Sequence, residues 1–151
     1  MQFCLDTSAF INAWNKLYPE DVFPTFWQVL GAWCDAGDII APKEVLVELE
    51  QKDDELHRWA KQHLDIFLDP DEDVQRAVTA ILADYPSLVD EKRLRSMADP
   101  WVVAQAQVSS ATVVSEETPR PSKPRIPDVC VALGIPHTDV VGLMRTKGLR
   151  L

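Results

Sequence analysis

Acidic residues stand at several positions of this sequence where a parallel β-sheet would present them for chemistry. Asp6 directly follows an apolar run at residues 3–5 that is too short for a helix, and a helical pattern comes next. That pattern is typical of a buried parallel strand with Asp6 at its carboxyl end. Glu116 and Glu117 follow a β-branched apolar run, and Asp99 precedes an apolar helical stretch. Because ligands bind beside the carboxyl ends of parallel strands, we expect these acids to share one edge of the sheet.

Two further acidic positions could join this group. Glu48 and Glu50 both flank the apolar stripe of a predicted third helix, at about 100° from its centre, so periodicity does not choose between them. Asp128 opens a short helix beyond the proline-rich loop that follows Glu116 and Glu117.

Carboxylates that crowd together repel one another unless protons or cations neutralise them. Hard oxygen ligands suit Mg²⁺ or Mn²⁺, and two such ions about 4 Å apart can activate water and stabilise the leaving oxygen of a phosphodiester. An acidic cluster without a catalytic His or Cys motif favours metal-dependent phosphodiester hydrolysis. Ser8, two residues after Asp6, could orient a carboxylate or a metal-bound water.

Each of these acids also has an ordinary structural interpretation. Asp99 precedes Pro100, which is the arrangement of an N-cap and a first helical residue. Asp6 also fits a turn or a helix cap, and Glu116 and Glu117 also fit a solvated loop. Their joint placement at one sheet edge, which depends on the predicted strands, is what favours chemistry.

The elements that would position these acids alternate along the chain. Residues 51–55 are polar enough to be either a helix break or a solvated face, and residues 88–97 predict a short helix or a loop. We expect an α/β fold with a small central parallel sheet flanked by helices, in one domain over residues 1–151. Strands are predicted at residues 2–5, 38–41 and 111–114, and helices at residues 9–17, 26–34, 42–64, 71–84, 100–106, 128–133 and 138–147.

The charge is unevenly distributed along the 151 residues, whose net charge is −9. Residues 118–151 hold 2 acidic and 6 basic residues, a balance of +4, which leaves −13 for residues 1–117. A protein with this net negative charge binds nucleic acid poorly unless divalent cations and the basic region offset its repulsion of the phosphates. We expect a cytoplasmic protein, since three scattered cysteines suit a reducing compartment and neither a signal peptide nor a membrane span is evident.

Three stretches of the chain resemble a known family. Residues 3–11 (FCLDTSAFI) resemble the opening of PIN-domain nucleases, and residues 98–104 (ADPWVVA) resemble the second half of their signature. Residues 47–49 (VEL) are similar to the Glu-Leu of their third helix. Residues 114–117 (VSEE) and 126–130 (IPDVC) narrow the resemblance to a PIN-like family of bacterial proteins, DUF4411.

The resemblance implies a Mg²⁺- or Mn²⁺-dependent ribonuclease with an RNA substrate, often the toxin of a toxin–antitoxin pair. It carries over Asp6, Glu48 and Asp99 as metal ligands and thereby selects Glu48 over Glu50. The family's fourth acid is usually an Asp after the strand that corresponds to residues 111–114. Glu116 and Glu117 stand there in this chain, with Glu116 as the expected catalytic residue and Glu117 or Asp128 as alternative metal ligands.

Other features concern substrate and partners. Arg120, Lys123 and Arg125 lie in the proline-rich loop and are plausible phosphate contacts beside the acidic site. An apolar face with Trp14, Phe23, Phe26 and Trp27 is a candidate surface for an antitoxin or a second copy in a homodimer. The alternative to a nuclease is a non-catalytic PIN-like module that binds RNA or protein. A phosphoacceptor receiver domain is less favoured, because its Lys and acidic pair are not recognisable.

Overall fold

The computed structural model describes residues 1–89 and 97–151, which include a five-stranded parallel sheet of order β3-β2-β1-β4-β5. The predicted α/β fold with a central parallel sheet is therefore confirmed. The predicted helix or loop at residues 88–97 lies largely outside the described residues. The strands are β1 (Phe3–Leu5), β2 (Ile39–Pro42), β3 (Phe67–Leu68), β4 (Thr112–Val114) and β5 (His137–Thr138).

Helices flank the sheet, and within the described ranges none is long and apolar enough to cross a membrane. A π-helical turn extends the first helix, and short 3₁₀ turns follow the fourth and fifth. The α-helices are α1 (Thr7–Asn12), α2 (Pro24–Asp35), α3 (Lys43–Lys52), α4 (Asp54–Ala60), α5 (Glu72–Asp84), α6 (Asp99–Ser109), α7 (Ile126–Leu133) and α8 (Val140–Lys147).

The central position belongs to β1, whose three residues are apolar and buried. Phe3 pairs with Ile39 of β2 on one side and with Thr112 of β4 on the other. After β1, the next two strands, β2 and β3, lie on one side of it. The following strand, β4, lies on the opposite side. The carboxyl ends of β1 and β4 therefore form a topological switch point, which is where open α/β sheets bind ligands.

Small apolar side chains bring α6 into close contact with the sheet. Val102, Val103 and Ala104 are fully buried, and the helix packs against β1, β2 and β4. A helix that is buried on more than one face needs such residues, because larger side chains would not fit between the layers. The first turn of α6 is thereby fixed at the edge where β1 and β4 end.

Residues 51–55, which were predicted as either a helix break or a solvated face, contain a break, and the sheet has two strands that were not predicted. The helix breaks at Asp53, whose extended backbone and side chain begin α4. The two added strands, β3 and β5, have two residues each and lie at the sheet edges. The last helix was predicted to begin at residue 138, but Thr138 belongs to β5, and Asp139 caps α8 by accepting from the Gly142 amide at 2.8 Å.

The aromatic residues of the first two helices form part of the core. Phe26 and Trp27 are 1% and 2% exposed, and the Trp27 ring packs edge-on against Trp14 and Trp59. The predicted docking face cannot include Phe26 or Trp27, because both are already covered by this chain. A homodimer remains a prediction.

Candidate active site

Asp6 is the acid most completely enclosed by hydrogen-bond donors. It follows β1 and caps α1, since its Oδ1 accepts from the Ala9 amide at 2.8 Å. Its Oδ2 accepts from the Ser115 hydroxyl at 2.6 Å, and the Ser8 hydroxyl lies 2.8 and 2.9 Å from the two oxygens. Asp6 is therefore a helix cap, and Ser8 donates to the same carboxylate.

Glu48 reaches the same region from α3. It is 8% exposed, whereas Glu50 faces solvent on the other side of the helix. Its Oε1 accepts a 2.6 Å hydrogen bond from the hydroxyl of Thr7, the residue directly after Asp6. The structure thus joins the start of α1 to α3 through one short side-chain contact.

Asp99 is not the N-cap that its position before Pro100 suggested. Ala98 occupies the cap position without a side-chain hydrogen bond, and Asp99 lies inside the first turn of α6. The side chain is 4% exposed, and its buried Oδ2 has no hydrogen-bond partner among the described residues. A buried carboxylate oxygen without a partner is costly, so it requires an explanation other than capping.

Glu117 is the acid after β4 that turns towards this group. Its Oε2 accepts from the Arg125 guanidinium Nε at 3.2 Å and from the Ile126 amide at 3.3 Å. Its carboxyl group also contacts Asp99, and this contact helps to raise the pKa of Asp99. Two carboxyl groups in contact share a proton or a cation more readily than they both ionise.

The pKa shifts show that the four acids form one electrostatic group. Burial, together with the charge of Glu117, raises the pKa of Asp6 to about 7, although hydrogen bonds from Ser115, Ala9 and Ser8 act in the opposite direction. Burial also raises the pKa of Asp99 well above its usual range, and the charges of Glu117, Asp6 and Glu48 add to the effect. We call Asp6, Glu48, Asp99 and Glu117 the acidic cluster.

Two other predicted ligands have structural contacts outside the acidic cluster. Glu116 Oε1 accepts from the Val140 amide at 2.9 Å, at the start of α8. Asp128 Oδ2 accepts from the Arg120 and Arg125 amides at 2.7 and 2.9 Å, which lowers the pKa of its carboxyl group. The structure therefore brings Glu117 to the cluster, and not Glu116 or Asp128.

Among the predicted phosphate contacts, Arg125 reaches the cluster directly, whereas Arg120 and Lys123 are exposed in the same loop. Thr7 and Ser115 were not predicted as site residues. Their positions directly after Asp6 and directly after β4 were the only sequence signals for them. Each hydroxyl donates to a carboxylate of the cluster, so both residues fix the direction of an acid.

The donor set of the acidic cluster fits a divalent cation in chemistry, since it consists of hard carboxylate oxygens, one of them buried without a partner. As the side chains stand, no group of three or more His, Cys, Asp or Glu residues in the described ranges is arranged to hold a metal ion. The carboxylates of Asp6 and Glu48 point instead at hydroxyl groups, and that of Glu117 points at Arg125. Side-chain rotation would be needed to gather them around one ion.

Comparisons with known proteins agree with this fold. The family described as "Domain of unknown function (DUF4411)" matches residues 3–151. No curated protein matched the chain. Among solved structures, the crystal structure of VapBC2 from Rickettsia felis bound to a DNA fragment from their promoter contains a similar chain, at 16% identity and a TM-score of 0.58. The match covers 92% of this chain and 98% of that one, and at this identity it shows the fold alone. The protein therefore belongs to the DUF4411 family and has a PIN-like α/β fold.

Proposed function

We propose that this protein is a Mg²⁺- or Mn²⁺-dependent endoribonuclease. The observation that carries this proposal is Asp99, whose unpartnered buried oxygen is in electrostatic contact with three other carboxylates. Four buried or nearly buried acids at a topological switch point destabilise the fold unless a cation or protons compensate them. A cation that compensates them would also bring the chemistry for phosphodiester cleavage to the site.

The roles of the chain's own residues follow from their contacts. Asp6, Glu48, Asp99 and Glu117 would hold the ion, which when bound supplies an activated water and charge stabilisation at the leaving oxygen. Ser8 and Ser115 orient Asp6, and Thr7 orients Glu48. In this proposal Glu117 takes the place expected for Glu116, while Glu116 and Asp128 stabilise the start of α8 and of α7.

The basic loop at residues 118–125 would hold the RNA backbone. Arg120 and Lys123 are exposed there, and Arg125 links the loop to the acidic cluster. Since residues 118–151 carry a balance of +4 in an otherwise acidic chain, this region is where phosphates meet least repulsion. We expect RNA to lie between this loop and the ends of β1 and β4.

Mn²⁺ binding by calorimetry tests the site. Wild-type protein should bind in the micromolar to millimolar range, and Asp99→Asn should abolish the binding, because it removes the charge of a buried ligand whose Oδ2 has no hydrogen-bond partner among the described residues. Glu48→Gln should also weaken it, whereas Glu50→Gln serves as the matched control on the same helix and should leave it unchanged. Circular dichroism would establish that each variant folds.

Cleavage of a labelled RNA mixture then tests the reaction. Wild-type protein should cut RNA in the presence of Mn²⁺ or Mg²⁺ and lose this activity with a chelator. Asp6→Asn should reduce the rate by about 100-fold or more, because loss of a residue that only supports a metal ligand already costs about 10- to 100-fold. Full activity of Asp6→Asn would contradict the proposal.

A second candidate function is a non-catalytic module that binds RNA or protein. It is favoured by the side-chain arrangement, because the described carboxylates are not gathered as metal ligands and several already have internal donors. Absence of Mn²⁺ binding at millimolar concentrations, together with RNA binding that needs no divalent ion, would select this function over the nuclease.

We also propose a cytoplasmic location and a protein partner. The three cysteines are free and buried, as in a reducing compartment. The similar solved chain comes from VapBC2 bound to promoter DNA, and PIN-domain nucleases are often toxins of toxin–antitoxin pairs. If this chain is a toxin, its expression should arrest growth, Asp99→Asn should abolish the arrest, and co-expression of the adjacent gene's product should relieve it.

A further inference from the structure

Arg125 forms an ion pair with the acidic cluster, which a side chain that only binds phosphate would not need. Its Nε donates to Glu117 Oε2 at 3.2 Å, and the adjacent Ile126 amide donates to the same oxygen at 3.3 Å. Among the residues that the structure describes, this is the only ion pair between a Lys or Arg and a member of the cluster. One of the four acids is therefore already neutralised by the chain itself.

The charge of Arg125 acts on more than its direct partner. Its hydrogen bond with Glu117 raises the pKa of the guanidinium, and the charges of Glu117, Asp99 and Asp6 raise it further. A divalent ion held by the same carboxylates would meet this cation at close range. Since like charges at short distance repel strongly in a partly buried site, the two cations cannot both be held favourably beside Glu117.

The position of Arg125 also gives it an alternative partner. Its side chain is 35% exposed, whereas that of Glu117 is 11% exposed, so the guanidinium can turn outward while the carboxylate stays inside. It lies at the N-cap of α7, at the end of the loop that carries Arg120 and Lys123. A guanidinium that leaves Glu117 there would face a phosphate, which it can bind with two parallel hydrogen bonds.

We infer that Arg125 is an internal cation that competes with a divalent metal ion for Glu117 and is transferred to a substrate phosphate when the ion is bound. This inference rests on the proposed metal site and assigns to Arg125 a role distinct from that of the other loop cations. Removal of Arg125 should therefore have opposite effects on two measurements. Metal binding should become tighter, because Glu117 is released and a repulsive charge is lost, whereas RNA binding should become weaker.

Calorimetric titration with Mn²⁺ provides the test. We expect Arg125→Gln to lower the Kd for Mn²⁺ about three- to tenfold relative to wild type. Lys123→Gln is the matched control, since it removes the same charge from the same loop and should change that Kd by less than about twofold. Arg125→Lys keeps the charge without the planar guanidinium and should fall between wild type and Arg125→Gln.

The Glu117→Gln background shows whether Arg125 acts through Glu117. There the effect of Arg125→Gln on the Mn²⁺ Kd should shrink to less than about twofold, because the shared carboxylate is gone. In parallel, the KM for RNA should rise for Arg125→Gln, although its metal site is at least as well filled as in wild type. Backbone capping of α7 is retained in this variant, since Asp128 binds the amide of residue 125.

The outcomes separate the inference from the proposed function. Wild-type Mn²⁺ binding that Arg125→Gln leaves unchanged or weakens would overturn the inference and leave the nuclease standing. Absence of Mn²⁺ binding in wild type and in Arg125→Gln would overturn both. The exchange would be supported if Arg125→Gln binds Mn²⁺ more tightly and RNA more weakly than wild type, while Lys123→Gln leaves the Kd for Mn²⁺ unchanged.

Discussion

Three hydroxyl groups hold two of the four carboxylates of the acidic cluster in fixed directions. Thr7 donates to Glu48 at 2.6 Å, and Ser8 and Ser115 donate to Asp6. Such contacts favour the ionised carboxylates and reduce the side-chain freedom that an ion would otherwise have to restrict. Asp99 has no such support for its Oδ2, so it is the residue whose environment depends most on an added cation or proton.

The pKa of Asp6 predicts an unusual pH dependence of stability in the absence of divalent ions. The folded protein holds this carboxyl group with a pKa of about 7, whereas an unfolded chain has a value near 4. Between these pH values the folded state keeps a proton that the unfolded state has lost. Rising pH therefore destabilises the fold, by up to about 1.4 kcal/mol per pH unit, and the contribution is constant outside that window.

Urea unfolding of wild type and Asp6→Asn from pH 4 to pH 8, with a chelator present, measures this contribution. The free energy of unfolding of wild type should decrease relative to that of the variant as the pH rises to about 7. The difference should then level off. Parallel curves for the two proteins across the whole range would show that Asp6 titrates normally.

At the residue level the sequence indicated which acids could lie close together, but it did not indicate where their oxygens point. Asp6 and Asp99 were predicted from strand ends and helix starts, which are local features. The choice of Glu117 over Glu116 depends on the Val140 amide and on Arg125, which lie 24 and 8 residues further along the chain. No local pattern contains those contacts, because they form only when the starts of α7 and α8 come next to the residues that follow β4.

The start of α7 is the element that connects the basic loop to the acidic cluster. Asp128, in the first turn, binds the amides of Arg120 and Arg125, and Glu117 binds the amide of Ile126. The loop, the helix and the acid after β4 are thus tied to one another by hydrogen bonds to backbone amides. The same bonds explain why Asp128, although acidic and close in sequence, is engaged as a cap.

Substitution of Asp128 distinguishes a cap from a metal ligand. Asp128→Ala should lower the free energy of unfolding by about 1 kcal/mol, because the amides that it accepts from lose their partner. Its Kd for Mn²⁺ should stay within about twofold of wild type, unlike that of Asp99→Asn. A loss of Mn²⁺ binding as large as that of Asp99→Asn would identify Asp128 as a ligand instead.

The elements themselves were predictable where they are long or strongly patterned. Helices such as α2 and α5 follow apolar stripes with clear ends, and the core strands β1, β2 and β4 are apolar runs. The edge strands β3 and β5 have two residues each, and too few side chains alternate there to give a pattern. Their pairing is set by the neighbouring strands, which a sequence does not display.

The whole molecule has an uneven charge balance, which is negative over residues 1–117 and positive over residues 118–151. Residues 118–151 hold 6 of the 15 basic residues and only 2 of the 24 acidic ones. RNA would therefore be attracted by few cations and repelled by the rest of the surface. This distribution predicts weak binding that depends on divalent ions and on a small number of phosphate contacts.

The salt dependence of RNA binding measures that number. If Arg120, Lys123 and Arg125 each neutralise one phosphate, the logarithm of the affinity for single-stranded RNA should fall with the logarithm of salt concentration with a slope of about −2. Lys123→Gln should reduce the magnitude of this slope by about 0.7. A slope several times steeper would place the RNA on a larger surface than this loop.

The order of the strands also bears on how such a protein would be made in a cell. The central strand β1 leaves the ribosome first, but its partner β4 is more than a hundred residues away, with Leu5 paired to Val114. Asp6 and Glu117 can therefore meet only after the chain has been synthesised past residue 117, and a shorter nascent chain lacks the cluster. For an enzyme that cleaves RNA, this topology would delay activity until the residues from β1 to Glu117 have all been translated and have folded together.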